Sequence, residues 1–112
     1  MRSVQSLAEK FGWEILSLPR PETAVEGGYA GDLLSWVMVH ARRGQLWVTI
    51  MTNVNVLAVA ELTGVAGIVV AEGETPSQDV IERAKTLGIN LLRSPKDTFE
   101  TVSEIALALS RG

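Results

Sequence analysis

Residues 66–71 of the chain (AGIVVA) form a run in which no position carries a polar side chain. A strand with one face in water alternates between apolar and polar residues, so this run predicts a strand that is covered on both faces. Strands of that kind occur in parallel sheets that lie between layers of helices. The run therefore predicts an α/β fold.

Four glycines divide the chain into alternating elements. They are Gly12, Gly44, Gly64 and Gly88. Each follows an apolar stretch of helical period and precedes a strand-like run, and a glycine just beyond a helix end adopts the left-handed conformation without steric cost. The predicted elements are helices at residues 3–11, 33–43, 54–63, 76–87 and 95–110 and strands at residues 13–18, 46–51, 66–71 and 89–92. We expect one domain over residues 1–112, with three layers, about four mostly parallel strands and helices on both faces.

Polar residues before the predicted helices are typical of N-caps. Asp32 and Asn53 directly precede the second and third helices. Residues 75–78 (TPSQ) and 94–97 (SPKD) resemble capping boxes with proline at the first helical position. Residues 19–31 are predicted to be a long irregular connection, and long connections in compact domains are often functional or mobile.

The composition excludes several classes of protein. The hydrophobic fraction of 46% is enough for a core, which argues against a disordered chain. The net charge of −3 gives no basic face for nucleic acid. The absence of cysteine excludes disulfides, thiolate metal sites and thiol nucleophiles. With no export signal and no uninterrupted apolar span, we expect a soluble cytoplasmic protein that does not enter a membrane.

No catalytic motif stands out in the sequence. None of the three lysines follows a glycine, so a P-loop is excluded. His40 could act as a general base, but Ser35 lies off its helical face, and a partly exposed helix histidine is the better explanation. Glu72 and Glu74 could bind a divalent metal, although the dipole of the helix that follows also favours acidic residues there. We therefore expect a chain that is not an enzyme, with no cofactor and no metal site.

A ligand site is predicted where the parallel strands end, because open sheets bind ligands beyond the carboxyl ends of their strands. The three loops there are rich in hydrogen-bonding side chains, and only Arg93 and Lys96 could contact an anion. We expect the loops to meet on one face of the sheet. The predicted ligand-binding residues are Thr52, Asn53, Asn55, Gly73, Ser94, Asp97 and Thr98. For Asp97, helix capping is an alternative explanation.

The second predicted helix has more apolar residues than one buried face requires. Its stripe of Leu33, Leu34, Val37, Met38 and Ala41 can pack on the sheet. Exposed tryptophan and valine would be an unusual patch on a monomer, so we expect a homodimer with this helix in the interface. The predicted interface residues are Trp36, Val39, His40 and Arg43. The alternative is that residues 19–31 fold over the tryptophan within one chain.

Residues 46–105 resemble the DRTGG domain. The matching features are a strand, a polar loop, a helix that ends Leu62-Thr63-Gly64, the run VAGIVV at residues 65–70, and the later Asp97-Thr98-Phe99. Residues 31–38 (GDLLSWVM) are similar to stand-alone, single-domain members. The same domain occurs with CBS motifs in some family II pyrophosphatases and in some phosphate acetyltransferases, and it resembles the N-terminal domain of HPr kinase/phosphorylase.

The resemblance implies a prokaryotic accessory or regulatory module, usually dimeric and often encoded near redox or hydrogenase genes. The Asp-Arg pair of the family signature falls on Thr52 and Asn53. The Thr-Gly-Gly of the signature falls on Ala71, Glu72 and Gly73, so only its last glycine is kept. We therefore expect a non-catalytic regulatory or protein-interaction module, accessory to a redox or metabolic enzyme system. The alternative is a sensor of a small nucleotide-like ligand that binds at the carboxyl ends of the strands.

Overall fold

Helices and strands alternate along residues 2–110, which are the residues that the computed structural model describes. Five helices and five strands form in this part of the chain. In chain order they are α1 (Val4–Phe11), β1 (Glu14–Ser17), β2 (Gly27–Ala30), α2 (Leu34–His40), β3 (Gln45–Thr49), α3 (Asn55–Thr63), β4 (Gly67–Val70), α4 (Gln78–Leu87), β5 (Leu91–Arg93) and α5 (Thr98–Ser110).

The strands form one sheet in the order β1-β5-β4-β3-β2. Strands β2 to β5 are parallel, and β1 pairs antiparallel with β5 at one edge. Helices α2, α3 and α4, which connect the parallel strands, pack on one face, and α1 and α5 pack on the other. The predicted α/β fold with a mostly parallel sheet between helical layers is confirmed.

Strand β4 is buried at all four of its positions. Ile68 and Val70 belong to the core beneath α2, α3 and α4. Val69, between them, belongs to the core beneath α1 and α5. Because successive side chains of a strand point to opposite faces, apolar residues at every position are what a sheet covered on both sides requires.

Strand β2 lies inside the segment that was predicted to be an irregular connection, so the prediction of about four strands was too low. Its sequence, GGYA, has neither β-branched residues nor a clear alternation. It becomes a strand because it pairs in parallel with β3, with Gly27 opposite Gln45 and Ala30 opposite Val48. The indole Nε1 of Trp47 also donates to the carbonyl oxygen of Gly31 at 2.9 Å, which holds the end of β2 against β3.

Two predicted N-caps were wrong. Helix α2 is preceded by Leu33, which makes no side-chain cap. The Asp32 carboxylate accepts hydrogen bonds from the Thr49 hydroxyl at 2.8 Å and the Ile50 amide at 2.9 Å, at the end of β3. Helix α3 is preceded by Val54 without a side-chain cap, and Asn53 Oδ1 accepts from the Asn55 amide at 2.9 Å.

The last two helices begin later in the chain than predicted. Ser77, and not Thr75, is the N-cap of α4, and its hydroxyl accepts from the Val80 amide at 3.4 Å. Helix α5 starts at Thr98, and the Asp97 carboxylate accepts from the Glu100 amide at 2.7 Å. Asp97 therefore lies just before the helix and caps it. The sequence had suggested that Asp97 occupies the third position of the helix. None of the described helices is both long and apolar enough to cross a membrane.

Candidate functional site

The loops that follow β3, β4 and β5 meet at one edge of the sheet, which we call the carboxyl edge. Because these strands are parallel, Thr52, Gly73 and Ser94 all lie beyond carboxyl ends at this edge. Asp97 lies in the same loop as Ser94. The structure therefore brings the predicted loops together, and ligand binding by their residues stays a prediction.

Ser94 is the least accessible of the predicted ligand-binding residues. Its relative exposure is 0%, and its hydroxyl lies 2.8 Å from the hydroxyl of Thr101 in α5. The same oxygen accepts from the Lys96 amide at 3.2 Å. These bonds fix the turn from β5 into α5, so the Ser94 side chain has a structural role inside the fold.

Glu72 occupies the amino end of α5, a contact that the sequence analysis did not find. Its carboxylate oxygen Oε2 accepts from the amide of Thr98 at 2.7 Å and from the hydroxyl of Thr98 at 2.9 Å. Carboxylates stabilise the first turn of a helix, where amide groups lack partners. The loop after β4 therefore caps α5, whereas the sequence associated Glu72 with the helix that directly follows it.

The two cations at this edge are already paired. Arg93 donates to the carbonyl oxygens of Gly73 at 2.8 Å and Glu74 at 3.2 Å, and it forms an ion pair with Glu14 at 3.2 Å. Lys96 forms an ion pair with Glu104 in α5. Since both cations hold loops and helices in place, the carboxyl edge offers little free positive charge to an anion.

The polar side chains that stay free at this edge come from the loop after β3. Within residues 2–110, neither the Thr52 hydroxyl nor the side-chain carboxamide of Asn55 makes a hydrogen bond, and Asn55 is exposed. The Asn53 side chain is bonded to the Asn55 backbone amide, and Asp97 and Thr98 take part in the capping of α5, as described above. No group of three or more histidine, aspartate and glutamate side chains that could hold a metal ion occurs in the described part of the chain.

The outer face of α2 is exposed and apolar. Leu33 is 67% exposed, Trp36 58% and Val39 73%. The His40 ring stacks on Trp36 with 4.1 Å between centroids, and its Nδ1 lies 2.9 Å from the Trp36 carbonyl oxygen. We call Leu33, Trp36, Val39 and His40 the α2 surface.

Two expectations about α2 are corrected by the structure. Residues 19–31 do not cover Trp36, so the alternative of burial within one chain was wrong. Arg43 lies beyond the end of α2, and its side chain lies beside Gly64, the C-cap of α3. Trp36, Val39 and His40 remain together on the exposed surface that was predicted.

A cleft of about 520 Å³ lies at the opposite edge of the sheet, where the parallel strands begin. Charged side chains from the connection between β1 and β2 and from the ends of α2 and α3 line it, together with Gly44, Gly64 and Gly88. The cleft was not predicted from the sequence, because ligand sites of open α/β sheets are expected at the carboxyl ends of the strands. The sequence signal that could have indicated this cleft is the clustering of arginines and glutamates near the glycines.

The family model for the DRTGG domain matches residues 32–108 of the chain. The chain belongs to the DRTGG domain family. A comparison with curated protein sequences found no match. The matched residues include β3, β4, β5 and the loops of the carboxyl edge, whereas Arg20 and Glu26 of the cleft at the opposite edge lie before them.

Three solved chains match this DRTGG domain in fold. One is described as the crystal structure of the CBS and DRTGG domains of the regulatory region of Clostridium perfringens pyrophosphatase complexed with activator, diadenosine tetraphosphate. The TM-score is 0.68 at 18% sequence identity, and the match covers 92% of this chain and 45% of that one. At that identity the similarity shows a shared fold, and this chain spans less than half of the length of its neighbour.

The signature position occupied by Glu72 has a backbone conformation that suits glycine. Glu72 has φ +64°, and it is the non-glycine residue with positive φ among those described. By the resemblance described in the sequence analysis, the Thr-Gly-Gly of the DRTGG signature falls on Ala71, Glu72 and Gly73, which would place a glycine at this position. In this chain a glutamate adopts the strained backbone conformation, and its carboxylate caps α5.

Two replacements of Glu72 separate the energetic cost of the strained backbone from the stabilisation that the cap contributes. Glu72→Ala is expected to lower the free energy of unfolding by about 1–2 kcal/mol, because α5 loses its carboxylate cap while the strain remains. Glu72→Gly loses the same cap but relieves the backbone, so it should be about 1 kcal/mol more stable than the alanine variant. Urea denaturation measures both, with Glu74→Ala as the control for an exposed neighbouring carboxylate. Equal stabilities for the alanine and glycine variants would contradict the strain.

Proposed function

We propose that this DRTGG domain is a non-catalytic regulatory or protein-interaction module that acts as a homodimer in the cytoplasm. The observation that carries the proposal is the α2 surface, where three large apolar side chains are more than half exposed on or next to a seven-residue helix. Contiguous apolar surface on a soluble domain marks an interaction site. The regulatory region named for the similar pyrophosphatase structure supports a regulatory role.

A second copy of the chain is the partner that we propose for the α2 surface. Tryptophan is among the residues that most often anchor interfaces, and the Trp36 ring stacks on His40 at the exposed surface. A two-fold axis through α2 would bring the same apolar residues of both copies together, which is the commonest symmetry of homo-oligomers. The dimer would then present its other surfaces to an enzyme of a redox or metabolic system.

The lack of a catalytic role is part of the proposal. His40 faces the Trp36 ring and carbonyl oxygen, with no nucleophile or carboxylate recorded beside it in the described chain. A P-loop, whose lysine and amide groups stabilise phosphoryl transfer, has no counterpart in the sequence. Binding and assembly, and not turnover, are therefore the measurements that test this domain.

The substitution Trp36→Glu tests the proposed interface. We expect the dimer dissociation constant to rise by about 30-fold or more, because a buried interface tryptophan contributes about 2 kcal/mol and the new charge would be desolvated. Light scattering and sedimentation over a range of concentrations measure the change. Leu107→Glu is the matched control, since Leu107 is 55% exposed on α5, on the other face of the sheet.

Two outcomes would contradict the interface proposal. A wild-type chain that stays monomeric at high micromolar concentration rules out the homodimer. A dimer that survives Trp36→Glu but dissociates with Leu107→Glu places the interface on α5. Circular dichroism of both variants should show wild-type folding, because each replaced side chain is exposed in the monomer.

A nucleotide sensor at the carboxyl edge is the second candidate. It is favoured by the activator named with the similar structure and by the free side chains of Thr52 and Asn55. Titration with ATP, AMP and diadenosine tetraphosphate, followed through the amide resonances of Thr52 and Asn55, separates the two candidates. Saturable shifts at these amides support the sensor, and unchanged spectra favour the module without a nucleotide.

A further inference from the structure

The cleft at the amino ends of the parallel strands, which we call the amino-edge cleft, has the size of a small-molecule site. Its volume of about 520 Å³ lies within the usual range for ligand pockets. Its floor is formed by the residues that directly precede β3, β4 and β5, and one wall is formed by the connection between β1 and β2. It is separated from the carboxyl edge by the length of the strands.

Glycines form the floor against which the charged side chains of this cleft lie. Gly64 has φ +74°, and a Cβ atom there would lie 3.5 Å from Cζ and Nη2 of Arg43. Gly88 has φ +76°, and a Cβ atom there would lie 3.5 Å from Nε and Nη2 of Arg20. Because both glycines are the C-caps of their helices, each guanidinium lies at the carboxyl end of a helix.

Asn90 fixes the backbone from which Arg20 reaches into the cleft. Its side chain is 3% exposed and makes three hydrogen bonds. Oδ1 accepts from the Arg20 amide at 3.0 Å, and Nδ2 donates to the carbonyl oxygens of Arg20 at 2.8 Å and Ala66 at 3.0 Å. The wall of the cleft is therefore anchored to its floor, which limits the cost of ordering the site on binding.

Four charged side chains line the cleft: Arg20, Glu26, Arg43 and Glu61. Within residues 2–110, none of the four takes part in a side-chain hydrogen bond or an ion pair. Two cations and two anions lie around one cleft without forming an ion pair with each other, and all four side chains are exposed to a ligand.

The helix dipoles explain the positions of the two arginines but not those of the two carboxylates. Arginines beside the carboxyl ends of α3 and α4 interact favourably with the helix dipoles. The same dipoles disfavour a carboxylate in the last turn of a helix, yet Glu61 lies in the last turn of α3, which contains no basic residue of its own. Glu26 lies against Gly44 in the same cleft. The helix dipoles therefore do not account for the two carboxylates, which are exposed and accessible to a ligand.

A ligand of a single charge would be repelled by part of this lining. An anion meets two carboxylates and the negative ends of two helices, and a cation meets two guanidiniums. A zwitterion satisfies both sets. We propose that the amino-edge cleft binds a free α-amino acid, with its carboxylate on a guanidinium and its ammonium group on a carboxylate at the carboxyl ends of the helices. This proposal does not depend on the homodimer.

Nuclear magnetic resonance with free L-amino acids tests the cleft. Each amino acid is titrated into the ¹⁵N-labelled chain, and the amide resonances of Gly44, Gly64 and Gly88 report binding. We expect saturable shifts at these glycines for at least one amino acid. The amide of that amino acid, which lacks the carboxylate, and its deaminated acid, which lacks the ammonium group, should each bind at least about tenfold more weakly.

Substitutions connect the shifts to the charged side chains. Arg43→Gln and Glu61→Gln should each weaken binding by about tenfold. Arg83→Gln, on the exposed face of α4 outside the cleft, is the matched control and should leave binding unchanged. The proposal is overturned if no amino acid shifts the three glycines, if a singly charged analogue binds as tightly, or if the control weakens binding as much as the cleft variants. Titration of the Trp36→Glu variant should give the same result, because this variant is expected not to form the proposed dimer.

Discussion

Replacing Trp47 with alanine is expected to lower the free energy of unfolding by about 4 kcal/mol. Trp47 is fully buried in β3, in the core beneath α2, α3 and α4. Its removal leaves a large cavity and also removes the hydrogen bond from the indole Nε1 to the Gly31 carbonyl oxygen. Since small domains are stable by only about 5–15 kcal/mol, urea denaturation should show a large fall in the midpoint.

Trp47→Phe keeps the test usable if the alanine variant does not fold. Phenylalanine fills most of the space but leaves the Gly31 carbonyl oxygen without its donor, so we expect a loss of about 1–2 kcal/mol. Phe99→Ala is the control, because Phe99 is 80% exposed and should change stability by less than about 0.5 kcal/mol. A Trp47→Ala chain as stable as this control would contradict the described core.

Asn90→Ala is expected to destabilise the chain by about 3 kcal/mol. The asparagine side chain connects three backbone groups, and alanine leaves the amide and carbonyl of Arg20 and the carbonyl of Ala66 without these partners. The Ala66 oxygen is buried with the side chain, so water does not readily replace the bond. Chemical denaturation measures the loss.

Hydrogen exchange distinguishes this local effect from general destabilisation. In Asn90→Ala the Arg20 amide should exchange much faster, because its recorded acceptor is the Asn90 side chain. Asn55→Ala is the matched control, since Asn55 is exposed and its side chain makes no recorded hydrogen bond within residues 2–110. Unchanged protection at Arg20 in the Asn90 variant would mean that another group holds the connection between β1 and β2.

The two edges of the sheet differ in how their charges are used. At the carboxyl edge, Glu72 caps α5, and Arg93 and Lys96 are paired within the fold. At the amino edge, Arg20 and Arg43 have no such partners among the described residues. At the usual location of ligands in open α/β sheets, the charged side chains are thus largely used within the fold.

Sequence patterns were sufficient to predict the layered architecture, because local stereochemistry determines it. The run AGIVVA has apolar residues on both faces of a strand, and only a sheet covered on both sides accommodates that. Gly12, Gly64 and Gly88 end helices with φ between +70° and +76°, a region that disfavours other residues. Both signals are read from neighbours in the chain, so they need no knowledge of distant contacts.

Contacts between residues far apart in sequence determined the features that the sequence patterns did not predict. Strand β2 has no strand pattern of its own and forms through its ladder with β3. Asp32 has the composition of an N-cap but binds Thr49 and Ile50, because the end of β3 offers a hydroxyl and an amide in better position. Whether a polar side chain caps, pairs or stays free depends on which partner the fold brings within hydrogen-bond distance, and that is a property of the tertiary structure alone.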